Sequence, residues 1–238
     1  MGTKSFANDL APTGVLRASI NLGNPVLAQG TPDAPTGVTV DLTREVARRL
    51  GLEVELRCFD AARKSFDALV TGKADLGFLA IEPARAAEVA FTAPYVLIEG
   101  VYVVPADADL ETTADVDRPG VRVGVKEGSA YDLFLTRTLR HATVVREDDG
   151  IDAFEQHGLE VAAGIRQPMA TYVEEHPDLR LIDEPFMQIQ QAVATTKDKS
   201  PETVRFLTAV VEELKANGFV AESLRRANQS ATVAPAAI

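Results

Sequence analysis

The sequence predicts an α/β fold of two lobes, each a mostly parallel sheet flanked by helices, with the chain passing from lobe to lobe on two crossing strands. Three observations carry this prediction. Strand-like and helix-like stretches alternate through two successive series, and the polar segment ADADLETTADVDRP (Ala106 to Pro119) separates them. Apolar strand-like runs, Val96 to Val104 and Gln190 to Thr196, stand at the two ends of the second series and are the natural crossings. Buried parallel strands read as continuous apolar runs, whereas the helices that cover them repeat their apolar residues every three or four positions. The expected division is residues 1–104 for the first part of lobe 1, 105–189 for lobe 2, and 190–238 for a return to lobe 1.

In the first series, Val15 to Asn21 reads as a strand, and VDLTREVARRL (Val40 to Leu50) as a helix with Asp41 near its start and Gly51 as its stop. A strand at Glu53 to Cys58, a helix near Arg63 to Thr71 closed by Gly72, and a buried strand at Ala74 to Ala80 follow. The second series runs as strand Arg122 to Val125, helix Ala130 to Arg140, strand Thr143 to Val145, helix Gly150 to Gln156, strand Val161 to Ile165 and helix Pro168 to Glu175. Ser200 to Asn217 and Gly218 to Asn228 read as two amphipathic helices of lobe 1, Ser200 being a cap type and Pro201 fitting a first turn. The last residues, ATVAPAAI, are expected to be loose.

With 238 residues, 46% hydrophobic and 25% charged, the chain has the composition of a soluble globular protein and not of a disordered one. The formal charge of -11 opposes docking on nucleic acid or anionic lipid. One cysteine, Cys58, excludes an internal disulfide and reads as a core residue, while His141, His157 and His176 make no zinc-ligand spacing, so neither metal nor cofactor is expected. No run approaches the ~20 apolar residues that span a bilayer, so membrane insertion is not expected. The opening MGTKSFANDLAPTG lacks the apolar core of a secretory signal. The expectation is a cytoplasmic chain, or an exported one written without its signal.

In open α/β sheets, ligands bind at the carboxyl ends of the strands. After the first strand, NLGNPV offers Asn21 and Asn24, as ligand amides or simply as turn formers. After Ala80, IEPAR brings Glu82 and Arg85; a helix arginine by itself is a solvated charge, yet a planar fork that never loses its proton suits a carboxylate. After Val125, KEGSAYDLF places Ser129, Ala130 and Tyr131 at a helix start, which either caps itself or receives an anion. After Ile165, RQP sets Arg166 and Gln167 on a loop, facing solvent or a ligand. There is no nucleophile elbow, P-loop or H-E-x-x-H motif, so the chain is expected not to be an enzyme.

These residues resemble the amino-acid-binding kind of type II periplasmic solute-binding proteins, bacterial extracellular solute-binding protein family 3. The resemblance runs from about Leu16 to Ala227 and rests on GVTVDLTREVARRLGLEVEL, FDALVTGKADLGF, Arg85 with EVAFTAPY, and VGVKEGSAYDLFL, standing in the family's order. It implies binding of a small carboxylate-bearing solute between lobes that close by a hinge, as the substrate-binding component of an ABC transporter or as a soluble sensor. It implies that Arg85 takes the carboxylate, helped by the turn of Gly128 and Ser129, and that the location is periplasmic. The expected partners are the ligand and an ABC permease, with the chain itself a monomer. The loop before Arg85 offers Ala80, Ile81, Glu82 and Pro83 where the family has hydroxyls, which leaves Glu82 to face an amine. Arg166 stands where the family often has an acid, which suggests a second anionic group on the ligand. The alternative on the same fold resembles cyclohexadienyl dehydratase, with Glu82 as its acid.

Overall fold

The computed structural model describes residues 2–237. They form two compact units, one made of the chain up to Leu97 and from Gln190 onward, the other of Ile98–Ile189. The first changeover thus falls ahead of the one expected after Val104, because the crossing strand is longer than its apolar run.

In the first unit, helix α1 (Thr3–Leu10) precedes strand β1 (Val15–Asn21), and a hairpin of β2 (Gln29–Thr31) and β3 (Ala34–Thr36) leads into helix α2 (Val38–Leu50). Strand β4 (Glu53–Phe59), helix α3 (Ala62–Val70), strand β5 (Leu76–Ala80) and the single turn α4 (Pro83–Ala86) follow. Strand β6 (Val89–Pro105) carries the chain into the second unit, where α5 (Thr113–Val116), β7 (Arg122–Lys126), α6 (Ala130–Thr138), β8 (Thr143–Glu147), α7 (Gly150–His157), β9 (Val161–Ile165) and α8 (Arg166–Glu175) alternate. Strand β10 (Leu179–Thr196) returns it, and α9 (Pro201–Ala216), α10 (Phe219–Arg226) and β11 (Thr232–Val233) complete the first unit.

The strand order is β4-β1-β5-β10 in the first unit and β6-β9-β7-β8 in the second. β1 lies parallel to β4 and β5, and β7 lies parallel to β8 and β9. The crossing strands are the antiparallel members, β10 on β5 and β6 on β9. The mostly parallel two-lobed fold read from the alternation is therefore the observed one, with helices supplying the crossovers.

Local chemistry explains the boundaries that moved. Helix α2 begins at Val38 because Gly37 adopts φ 109 and because a Cβ there would come within 2.7 Å of the Leu27 carbonyl oxygen. It ends on Gly51 in the left-handed region, with Asp41 in its first turn and Arg48 and Arg49 in its last, as the helix dipole favours. Helix α8 starts at Arg166, directly from the strand, so no loop holds Arg166 and Gln167. The amino-terminal helix and the β2–β3 hairpin, neither of which was expected, are short elements held by packing, with Leu10 fully buried.

The tail is not loose. Thr232 and Val233 pair with Leu97 and Val96, and Ala234 is buried. Cys58 is half-buried on the edge strand β4, outside the core. Each unit has its own apolar centre: Leu69, Ala74, Leu79, Val89 and Ala194 in the first, Val101, Val103, Ala162 and Met169 in the second.

Candidate functional site

The first unit presents its candidates at the carboxyl edge of its sheet, where β1, β4 and β5 end at Asn21, Phe59 and Ala80. Beyond Asn21 the chain turns tightly. The Asn21 side-chain oxygen accepts from the Gly23 N–H at 3.0 Å and that of Asn24 from the Val26 N–H at 3.2 Å, so both carbonyls close the turn. Gly23 leaves no room for a side chain, since a Cβ would lie 2.0 Å from the Asp60 carbonyl oxygen.

Arg85 follows the fully buried strand LGFLA, which sets Ala80 at its end, and Pro83 opens the single turn that carries it. Only 3% of Arg85 is exposed, and the same holds for Glu82. The Arg85 Nη1 donates to the Ala80 carbonyl at 3.3 Å, so Ala80, Glu82 and Arg85 come together within one turn. Burial draws the guanidinium pKa down to about 10, and the Glu82 charge pulls it the other way. The group stays protonated at neutral pH, a desolvated cation that an anion would stabilise. The solvated-charge reading of this helix arginine fails on its burial.

The same unit holds an open groove of about 320 Å³ lined by Leu22, Pro32, Cys58, Phe59, Asp60 and Lys64. Burial and the nearby Asp33 charge push the Cys58 thiol pKa up, so the thiol stays protonated at neutral pH. No motif marks this groove, because Pro32 reaches it through the hairpin.

In the second unit, Gly128 turns the chain at φ 69 after β7, and Ser129 caps α6 by accepting from the Asp132 N–H at 3.0 Å. The buried Asp132 carboxylate accepts in turn from the Gly128 N–H at 2.8 Å, from the Thr136 hydroxyl and from Arg146 Nε. This reciprocal pair holds the turn, with Ser129 as the cap and Ala130 and Tyr131 as the first residues of a nine-residue helix. The Tyr131 ring is itself buried, and that burial pushes its phenol pKa far up, so the phenol stays neutral.

Arg166 and Gln167 open α8, also straight from a fully buried strand, VAAGI. The Arg166 Nε pairs with the Glu99 carboxylate and its Nη2 donates to the Asp183 carbonyl at 2.6 Å. Glu99 escaped sequence reasoning because it lies 67 residues away, although its neighbour Gly100 pairs with Ile165, the residue before Arg166. The Gln167 side-chain oxygen is buried without a hydrogen-bond partner among the described residues. Among the described residues no cluster could hold a metal ion, and no helix is long and apolar enough to cross a membrane.

The fold and these polar groups at strand ends define a class, the two-lobed solute-binding proteins of type II periplasmic architecture. The family profile of the bacterial extracellular solute-binding proteins, family 3, matches residues 21–228, and the chain belongs to that family. A mutant of ArgBP from T. maritima is similar with a TM-score of 0.74 at 25% identity, over 93% of this chain and 98% of that one. The arginine-bound truncated form of ArgBP gives 0.70 at 26%, over 87% and 99%. A binding component of an ABC transporter from Wolinella succinogenes, complexed with lysine, shares the fold with a TM-score of 0.75 at 20% identity, over 90% and 95%. Among curated proteins, the membrane-bound lytic murein transglycosylase F of Vibrio cholerae is 36% identical over 73 residues, which are 31% of this chain and 14% of that protein.

Proposed function

We propose that the chain is a non-catalytic receptor for a small carboxylate-bearing solute of the amino-acid class, serving an ABC-type transporter or acting as a soluble sensor. The observation that carries this reading is Arg85, a buried guanidinium just past a buried strand, inside the segment on which the family resemblance rests. Its role is to take the carboxylate through two parallel charge-assisted hydrogen bonds. Ser129 and the amides of Ala130 and Tyr131 add donors of the second unit, with Asn21 and Asn24 as lesser contributors.

The requirement at α8 is different. Arg166 already balances Glu99 and spends its Nη2 on the Asp183 carbonyl, so a second anionic group on the ligand has little support. Gln167 offers an acceptor instead, which favours a ligand carrying a hydrogen-bond donor beside its carboxylate. Arginine, the ligand in the ArgBP structure, satisfies both demands. Glu82 orients Arg85 and balances its charge in this reading; the dehydratase alternative rests on that one carboxylate. The name of the family, extracellular solute-binding proteins, supports work outside the cytoplasm, and the reading adds a permease as partner and a monomer as the working form.

The test is a thermal-shift screen of L-amino acids and their deaminated acids, followed by titration calorimetry on the hits. Ligands should raise Tm by mass action, and acids with an amine should outrank those without. An Arg85→Ala protein that keeps the full ligand-induced shift would refute the reading. Turnover of any hit would refute its non-catalytic part.

A further inference from the structure

Helix α10 ends with Asn228 in the left-handed region at φ 53, its N–H bonded to the Arg225 carbonyl at 3.0 Å and the Gln229 N–H to Leu224 at 2.9 Å. This closure turns the chain back across the first unit. Thr232 and Val233 then pair antiparallel with Leu97 and Val96, and the Ala234 N–H donates to the Tyr95 carbonyl at 3.0 Å. Lys215 on α9, its side chain only 4% exposed, donates to the Pro94 carbonyl at 3.0 Å and to the Pro235 carbonyl at 2.9 Å, and pairs with Glu212. Glu212 also accepts from the Ala237 N–H at 3.2 Å. Four successive residues of β6, Pro94 to Leu97, are therefore held by the carboxyl-terminal segment or by the lysine that anchors it. The next residue, Ile98, is the first of the second unit.

We propose that the segment Thr232–Ala237, pinned by Lys215, is a clamp on the hinge strand. A hinge is a few residues that absorb a change in φ and ψ, and a strand bonded along its edge cannot absorb one. Tethering up to Leu97 confines that freedom to Ile98 and beyond, so the clamp sets how readily the hinge works and how long a ligand stays bound. The ligand arm of this proposal rests on the binding function proposed above. The mechanical arm does not.

The test uses the full chain, a Lys215→Met variant and a chain stopped after Ser230, with amide exchange followed by mass spectrometry and L-arginine as the ligand probe. In both variants, exchange across Val96 to Val101 should quicken by about tenfold while β1 stays protected. L-arginine should dissociate roughly threefold faster than from the parent chain. Exchange across Val96 to Val101 unchanged in both variants would overturn the clamp. So would equal quickening in β1, which would mean general destabilisation. A parent chain that ignores L-arginine counts against the ligand reading alone, and the exchange arm still decides the clamp.

Discussion

The two units repeat one device at different depths. In the first, Arg17 is the third residue of its strand and Asp75, just ahead of β5, takes its backbone N–H at 3.0 Å, its Nε at 2.9 Å and its Nη2 at 2.6 Å. In the second, Arg122 and Glu160, just ahead of β9, make the same three bonds at 2.9, 3.0 and 2.8 Å. The Asp75 side chain is 5% exposed and that of Glu160 39%, so identical geometry meets different solvent. The strand-end arginines differ the same way: Arg85 is desolvated, while Arg166 stands partly in water against Glu99. Charge follows suit. The first unit holds 16 acidic and 16 basic residues, whereas the second holds 19 acidic and eight basic ones and so carries the whole formal charge of -11. Like residues at like places therefore do different work, and burial decides which.

The largest test of that contrast is the pair Arg85→Ala and Arg166→Ala. Loss of a buried charged partner should weaken ligand binding by about 2–5 kcal/mol, roughly 30-fold or more, and the Arg166 change should stay within a few-fold, both read by calorimetry. Arg85→Met should lower the Tm of the free protein, because it takes the balancing charge from the buried Glu82 carboxylate, and adding Glu82→Gln should recover most of the loss.

Next comes the repeated clamp. Asp75→Ala should cost about 2 kcal/mol in urea unfolding because it removes three hydrogen bonds to a buried carboxylate. Glu160→Ala should cost only about 1 kcal/mol, as its partner can turn to water. Equal costs would break the argument from depth.

The smallest expected effect is on acid stability. The Arg48 and Arg49 hydrogen bonds hold the Glu45 carboxyl down at about 2, and the Thr112 N–H and Arg118 do the same for Asp115. Folded values below the unfolded ones give a contribution that is complete above about pH 4.5 and drains away as the pH falls toward about 2. Unfolding free energy should hold level from pH 7 to 5 and then decline, and Glu45→Gln should flatten part of that decline.

Much of the fold was legible in the sequence because the apolar runs and helical spacings were unambiguous: β1 and β9 begin and end where their runs do. The short elements were not. α1 leans on α9, where Phe6 stacks on Phe206, while the β2–β3 hairpin and α5 are held by local bonds in stretches too short to show a period; only α4 was signalled, by Pro83. The tail looked loose because Thr232 and Val233 lie among small residues, and only the unpaired edge of β6 gives them a place. At the candidate site, motif and spacing singled out Arg85, Ser129 and Arg166. They could not reveal that Arg85 is buried or that Glu99 neutralises Arg166, since exposure and cross-strand partners are properties of the packed chain. Gln167 was noticed only as a neighbour of Arg166, and its buried oxygen has no sequence signal.

The route of the chain through the two units has a consequence for biosynthesis. Residues 98–189 are contiguous, so the second unit has all its strands once Ile189 has left the ribosome. The first unit emerges first yet cannot finish, because β10 must arrive to cover β5 and the pairing of β11 with β6 joins residues more than a hundred positions apart. Its long loop closures should make it the slower half, and the excess of acid in the second unit should make neighbouring nascent chains repel one another.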